Sequence, residues 1–222
     1  MIMSSKHPDM ERCLRYLEDY GTPAHVVGHC KAVADTACRI GRALNEAGGT
    51  MAPPISEITF RTYEGDNGHM RHKIDQTRTI MDTGKVRLFD LALTQAAGLL
   101  HDMARVEDRH WDAAADFCRD EGLYEESKII RVHMQYEFTT DAWHLTEADL
   151  VCLGDRLVLE DYYAGIDKRM DYIIAKAERQ GHLEAGPVIL KKKEETKVLL
   201  RQIEDRIGCS LDEIMPNAED DR

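Results

Sequence analysis

The chain has 222 residues, 43% of them hydrophobic and 32% charged, which suits one globular domain with a sizeable core and room for an insertion. Against 29 basic residues stand 41 acidic ones, a net charge of −12, and no basic segment is long enough to track a nucleic-acid backbone, so nucleic acid is disfavoured as the main partner. The 6 cysteines carry no CxxC spacing, which argues for reduced, mostly buried thiols and against a disulfide frame or a thiolate zinc site. The first residues, MIMSSKHPDMERC, have no apolar signal core, and no uninterrupted apolar run approaches a membrane span. A cytoplasmic protein without a membrane partner is the expectation.

In chain order the elements read as helices. Pro8 suits the first turn of one that runs to about Tyr20, with Cys13, Leu14 and Leu17 inward, and Gly21, Thr22 and Pro23 break it. A second spans about Ala24 to Ala47, with Val26, Val33, Ala37, Ile40 and Leu44 at three- and four-residue intervals, and stops at Gly48 and Gly49. On it His25 and His29 share a face one turn apart, while Cys30 reads as an interior thiol. Residues 50–84 are polar and punctuated by Pro53, Pro54, Gly65, Gly68 and Gly84. They read as an inserted excursion with one short helix after His69, and His69 and His72 as solvent histidines.

The stretch LFDLALTQAAGLLHDMAR, Leu88 to Arg105, is apolar on nearly every face and predicts a central helix buried all round. Directly after it come His101 and Asp102. An ionised carboxylate carried into the interior costs several kcal/mol unless something cationic meets it. Further helices are expected from His110 to Gly122, from Glu125 to Gln135 with His133 near its end, and over EADLVCLGDRLVLED behind a capping box of Thr146 and Asp149. Asp155 falls in the apolar middle of that last segment. Helices at Ile166–Arg179 and Val188–Ile207 follow, the KKKEE run of the second reading as a solvated face, and the residues from 187 onward close on an acidic tail, NAEDDR. Strand signals are nearly absent, so the fold class is all-α, an irregular helical bundle in a single domain.

His29, His101, Asp102 and Asp155 are polar groups embedded in apolar helices. Each alone has a plain explanation, a hydrogen-bonded core histidine or a carboxylate paired with an arginine. Together, two imidazoles and two carboxylates suit Mn, Fe, Co, Ni, Mg or Zn better than a soft copper site. A dication would also neutralise both acids in a low-dielectric interior.

Here the sequence resembles the HD superfamily of metal-dependent phosphohydrolases. The pieces that carry the likeness are PAHVVGHCKAVADTA (23–37), AAGLLHDMAR (96–105) and VCLGDRLV (151–158). The resemblance implies an HD-domain fold and a divalent metal, Fe or Mn favoured, ligated by His29, His101, Asp102 and Asp155. HDMAR, then His110, then GLYEESKIIRVHMQ looks closest to small bacterial HD proteins, some found beside or fused to nucleotidyltransferase-like proteins of molybdenum-cofactor pathways. A nucleotidyltransferase partner or a homo-oligomer would fit that branch. In binuclear members two further histidines lie between the HD pair and the last Asp, an interval occupied here by His110 and His133. They would help hold a second ion, with Asp102 bridging.

Many members have Lys three residues after the HD Asp, where this chain has Arg105. The guanidinium keeps the charge and can grip phosphate, but it is a poor proton donor. A GYP motif is missing after His133, which argues against a cyclic-di-GMP phosphodiesterase. The resemblance thus implies hydrolysis of a phosphomonoester or phosphodiester of a nucleotide or other small phosphorylated metabolite by metal-activated water. Asp102 would orient or deprotonate the nucleophile, and Arg105 and Arg156 would bind phosphate. The alternatives are a di-iron oxygenase of the same fold and a non-catalytic metal- or nucleotide-binding module. No P-loop or GxSxG elbow offers another chemistry.

Overall fold

The structure, a computed structural model, describes residues 6–65, 70–138 and 141–216. It is predominantly helical. The helices are α1 (Met10–Tyr20), α2 (Ala24–Glu46), α3 (Leu91–Leu100), α4 (His110–Asp120), α5 (Tyr124–Val132), α6 (Glu147–Leu157), α7 (Gly165–Arg179), α8 (Ala185–Ile207) and α9 (Leu211–Ile214). Two antiparallel hairpins, β1 (Phe60–Glu64) with β2 (Met70–Ile74) and β3 (Val158–Leu159) with β4 (Tyr162–Tyr163), interrupt them. None of the helices is long and apolar enough to cross a membrane among the described residues. All six cysteines are free thiols, Cys209 alone being outside the buried class.

Local chemistry sets the helix ends. Asp9 caps α1 by accepting from the Arg12 amide, so the helix starts after Pro8 rather than on it. Asp90 caps α3 by accepting from the amides of Ala92 and Leu93. The expected Leu88–Arg105 helix is therefore shorter at both ends. Leu88 lies before the cap and is 63% exposed. Beyond Leu100 the chain tightens into turns with i,i+3 bonds, Met103 to Leu100 at 3.2 Å and Arg105 to Asp102 at 2.9 Å. The expected capping box of Thr146 and Asp149 is present at α6. Pro187 does not delay α8, because in the first turn its missing N–H has no intrahelical partner to lose.

The excursion at 50–84 carries a hairpin where a short helix was expected after His69; His69 itself and the acidic tail from 217 lie outside the described residues. Phe60 pairs with Ile74 and Glu64 with Met70. Ile74 packs with Ile55 and Ile58, and Phe60 meets Tyr136 edge-on, so a buried face selects strands here. Arg87 secures the far end. Its guanidinium grips buried Glu147 at 2.6 and 3.0 Å and the carbonyls of Ala52 and Pro53. The expected continuation of α6 through Asp161 also fails, because Val158–Tyr163 turns back as β3–β4.

α2 packs against both α3 and α6, so the centre is a three-helix contact rather than one helix. Two glycines allow it. A Cβ at Gly98 would stand 2.8 Å from Ala34 Cα, and one at Gly154 would stand 2.8 Å from the Val33 carbonyl oxygen. At the periphery, the lysine run on α8 is not simply a solvated face. Lys193 is buried and bonds Asp167 and Asp171 of α7 at 2.8 and 2.7 Å.

His7 anchors the N-terminal end. Buried with Glu126, it lies 2.7 Å from that carboxylate and 3.4 Å from Asp90. Burial opposes its charge, but hydrogen bonds to Asp90 and Glu126 prevail and its pKa rises to about 9. A raised folded-state pKa stabilises fully below the ordinary histidine value near 6.5 and ceases to do so as pH climbs through about 9. His7→Gln should therefore cost about 1–3 kcal/mol at pH 6, and the gap from the parent protein should close by pH 10 in urea unfolding.

Candidate metal centre

Five separate places in the fold send six side chains to one point. His29 comes from the first half of α2, His101 and Asp102 from the turn after α3, and His110 from the first residue of α4. His133 opens the short 3-10 turn after α5, and Asp155 lies in the last turn of α6. Gly98 and Gly154, which let α3 and α6 approach α2, sit three residues before His101 and one before Asp155.

Asp102 is the hub. Its Oδ2 lies 4.0 Å from His29 Nε2 and 3.7 Å from His101 Nε2. Its Oδ1 lies 3.1 Å from His110 Nε2 and 3.5 Å from His133 Nε2. Asp155 Oδ1 stands 3.2 Å from His29 Nε2. Two groups of donor atoms are close enough to hold a metal ion, His29 with His101 and Asp155, and His101 with Asp102 and His133. His110 joins them through Asp102 and is buried, not a solvated helix-start residue.

The imidazoles are oriented from behind. The Nδ1–H groups of His101 and His133 donate to the carbonyls of Gly98 and Ile130, each at 2.7 Å, and that of His29 donates to Glu160 at 2.8 Å. This fixes Nε2 of each ring as the inward atom, the arrangement used to present histidines to metals. Glu160 makes its contact from a left-handed backbone conformation, φ 55°, in the β3–β4 turn. His101 Nε2 and His133 Nε2 are buried with no hydrogen-bond partner among the described residues. Leaving such atoms unsatisfied costs about 1–3 kcal/mol each, and a metal ion would satisfy both. The donor set of imidazoles and carboxylates therefore fits a divalent metal.

Charge supports the same fit. Burial, more than any other influence, pulls the His101 pKa down to about 4, which keeps its imidazole in the neutral, ligating form. Burial would raise the Asp102 pKa, but the neighbouring imidazoles, His101 first and then His110 and His133, hold it well below the usual carboxylate range. Asp155 is lowered likewise against burial, chiefly by His29.

Arg105 and Arg156 part company. Arg105 Nη1 sits 3.3 Å from Asp102 Oδ1 and 3.1 Å from His110 Nε2, a cation already lodged on the His110 side of the hub. Arg156 is not brought to the centre. Its guanidinium bonds the Tyr136 carbonyl at 2.8 Å and the Thr196 hydroxyl at 3.2 Å, and it lines a different cavity. The next residue of a helix points about 100° away, so Asp155 inward sends Arg156 elsewhere. His72 also stays apart, on β2, where Thr62 bonds its Nδ1 at 2.9 Å.

A cavity of about 470 Å3 opens over the centre, reaching His29, Asp102 and Arg105. Its other wall holds Arg169, Tyr172 and Lys176 of α7, which the sequence reading missed. Their spacing of three and four residues was the available signal, a polar stripe on one helix face. Arg169 Nη2 lies 3.7 Å from Asp155 Oδ1.

Asp102→Ala should abolish metal binding while far-ultraviolet circular dichroism stays helical. His133→Ala should lower the metal-to-protein ratio measured by elemental analysis, and an unchanged ratio would remove His133 from the ligand set. Gly154→Ala gains up to about 1 kcal/mol of helix propensity, yet its new methyl meets backbone. The expected net loss is about 1–3 kcal/mol in urea unfolding, with weaker metal uptake.

Comparison of the chain with family models, with curated proteins and with solved structures gave no match in any of the three.

Proposed function

We propose that the protein is an HD-type metal-dependent phosphohydrolase acting on a small phosphorylated metabolite. The observation that carries this reading is the division of Asp102. One carboxylate oxygen faces His29 and His101, the other faces His110 and His133, as a group shared by two cations would. His29, His101, Asp102 and Asp155 would hold one divalent ion, and His110 and His133 with Asp102 the second. When bound, such ions lower the pKa of water and offset charge on phosphoryl oxygens.

The chain's own residues supply the rest. Arg105, 42% exposed and at the mouth of the cavity, can swing from Asp102 toward a phosphoryl oxygen and hold it through paired N–H groups. Arg169 and Lys176 across the cavity add positive charge where the leaving group or a second phosphate would lie. Asp102, ringed by the imidazoles of His29, His101, His110 and His133, stays ionised, so it can orient an attacking water or take up its proton. The carbonyls of Gly98, Ile130 and Glu160 keep the imidazoles from rotating during turnover.

The same four-histidine, two-carboxylate set would also serve an iron-dependent oxygenase, and the test separates the two. Protein loaded with Mn or Fe should hydrolyse p-nitrophenyl phosphate or its bis ester, and chelation should abolish the activity. Arg105→Gln should lower kcat/KM by about 10–100-fold at unchanged metal content. Oxygen consumption by the iron form with no ester hydrolysed would select the oxygenase. A metal-loaded protein inert in both assays would leave a binding module.

A further inference from the structure

On the other side of α6 lies a second cavity of about 450 Å3 that shares no lining residue with the one over the metal centre. Tyr63 and Arg71 of the first hairpin, Glu137 and Phe138 beyond α5, Arg156 of α6 and Lys192 of α8 surround it. Its size is that of a small-molecule site.

Its charge runs against that of the protein. Arg71, Arg156, Lys191 and Lys192 face only Glu137 and Glu195 across the lining, in a chain whose net charge is −12. Glu137 is matched by Arg71 at 3.4 Å, and Glu195 by Lys191 at 3.9 Å. Arg156 and Lys192 remain, with no carboxylate within ion-pair distance among the described residues. Arg156 is held by the Tyr136 carbonyl, the Thr196 hydroxyl and the Phe138 ring, whose centroid lies 4.2 Å from the guanidinium carbon. Neutral oxygens and a π face fix its position without cancelling its charge. The crowding is felt at Lys192, where burial and then the charges of Arg156 and Arg71 pull the ammonium pKa down to about 8.

Cations gathered into a half-enclosed space repel one another and lose hydration. A protein with surplus acid could have supplied carboxylates, so the vacancy in charge is best met by a ligand. A rigid guanidinium beside an ammonium and a second guanidinium matches the several oxygens of a phosphoryl group better than a single carboxylate. We propose that this cavity binds a small phosphorylated anion, at a site separate from the metal centre. Arg156 and Lys192 are its fixed charges, Arg71 closes the hairpin side, and the remaining volume takes the organic part of the ligand. Nothing in it depends on metal or on hydrolysis.

The test is calorimetric titration of inorganic pyrophosphate into the full-length, chelator-treated protein at pH 7 and low salt. One site is expected. Lys192→Gln and Arg71→Gln should each weaken its Kd by about 10-fold or more, as loss of a charged hydrogen bond does. Both variants should keep the parent's unfolding midpoint, and Asp102→Ala should bind pyrophosphate as the parent does. Binding weaker than millimolar in the parent would overturn the proposal. So would parent affinity in folded Lys192→Gln and Arg71→Gln, or binding lost only in Asp102→Ala, which would move the anion to the metal centre.

Discussion

A carboxylate with both oxygens committed, in the middle of a helical protein, is the constraint from which the rest follows. Asp102 is 3% exposed, and an acid so placed stays ionised only if positive or hydrogen-bonding groups meet each oxygen. Four imidazoles stand around it, two to an oxygen, and the Arg105 guanidinium lies 3.3 Å away. His29 and His101 reach it because α2, α3 and α6 pack closely, and Gly98 and Gly154 are small because neighbouring backbone occupies the space of a side chain. The helix ends serve the same purpose. α3 breaks into turns at His101, α5 tightens at His133, and α6 ends just beyond Asp155, so each of these side chains sits where a backbone carbonyl or a turn can aim it.

α6 divides two electrostatic environments. Toward α2 it presents Asp155 to a centre rich in carboxylate and imidazole; toward α8 it presents Arg156 to a cavity rich in cations. The excursion between α2 and α3 belongs to the second of these. Its hairpin supplies Tyr63 and Arg71 to that cavity, and the Arg87–Glu147 pair ties its end to the head of α6. The cavity over the candidate metal centre is walled instead by α7, through Arg169, Tyr172 and Lys176.

Much of this was legible beforehand. The periodicity of Val33, Ala37, Ile40 and Leu44, the break at Gly21 and the Thr146–Asp149 box gave α2, the end of α1 and the start of α6 close to their observed places. His29, His101, Asp102 and Asp155 stood out because ionisable groups inside apolar runs need a partner wherever those runs end up. The hairpin at 60–74 was missed because its signal is a buried face, and Ile74 acquires one only against Ile55, Ile58 and Tyr136. Lys193 read as solvated because its acids, Asp167 and Asp171, lie on another helix.

The sequence by itself determined the helical class, most helix boundaries and the candidates His29, His101, Asp102 and Asp155, since periodicity, capping and the cost of burying charge are properties of short segments; His110 and His133 were added only by the family resemblance. Tertiary structure alone decided that the ligands converge on Asp102, that their Nε2 atoms face inward, and that Arg156 serves another cavity. Those outcomes depend on which side of each helix meets which neighbour, and long-range packing sets that geometry after the local rules have been satisfied.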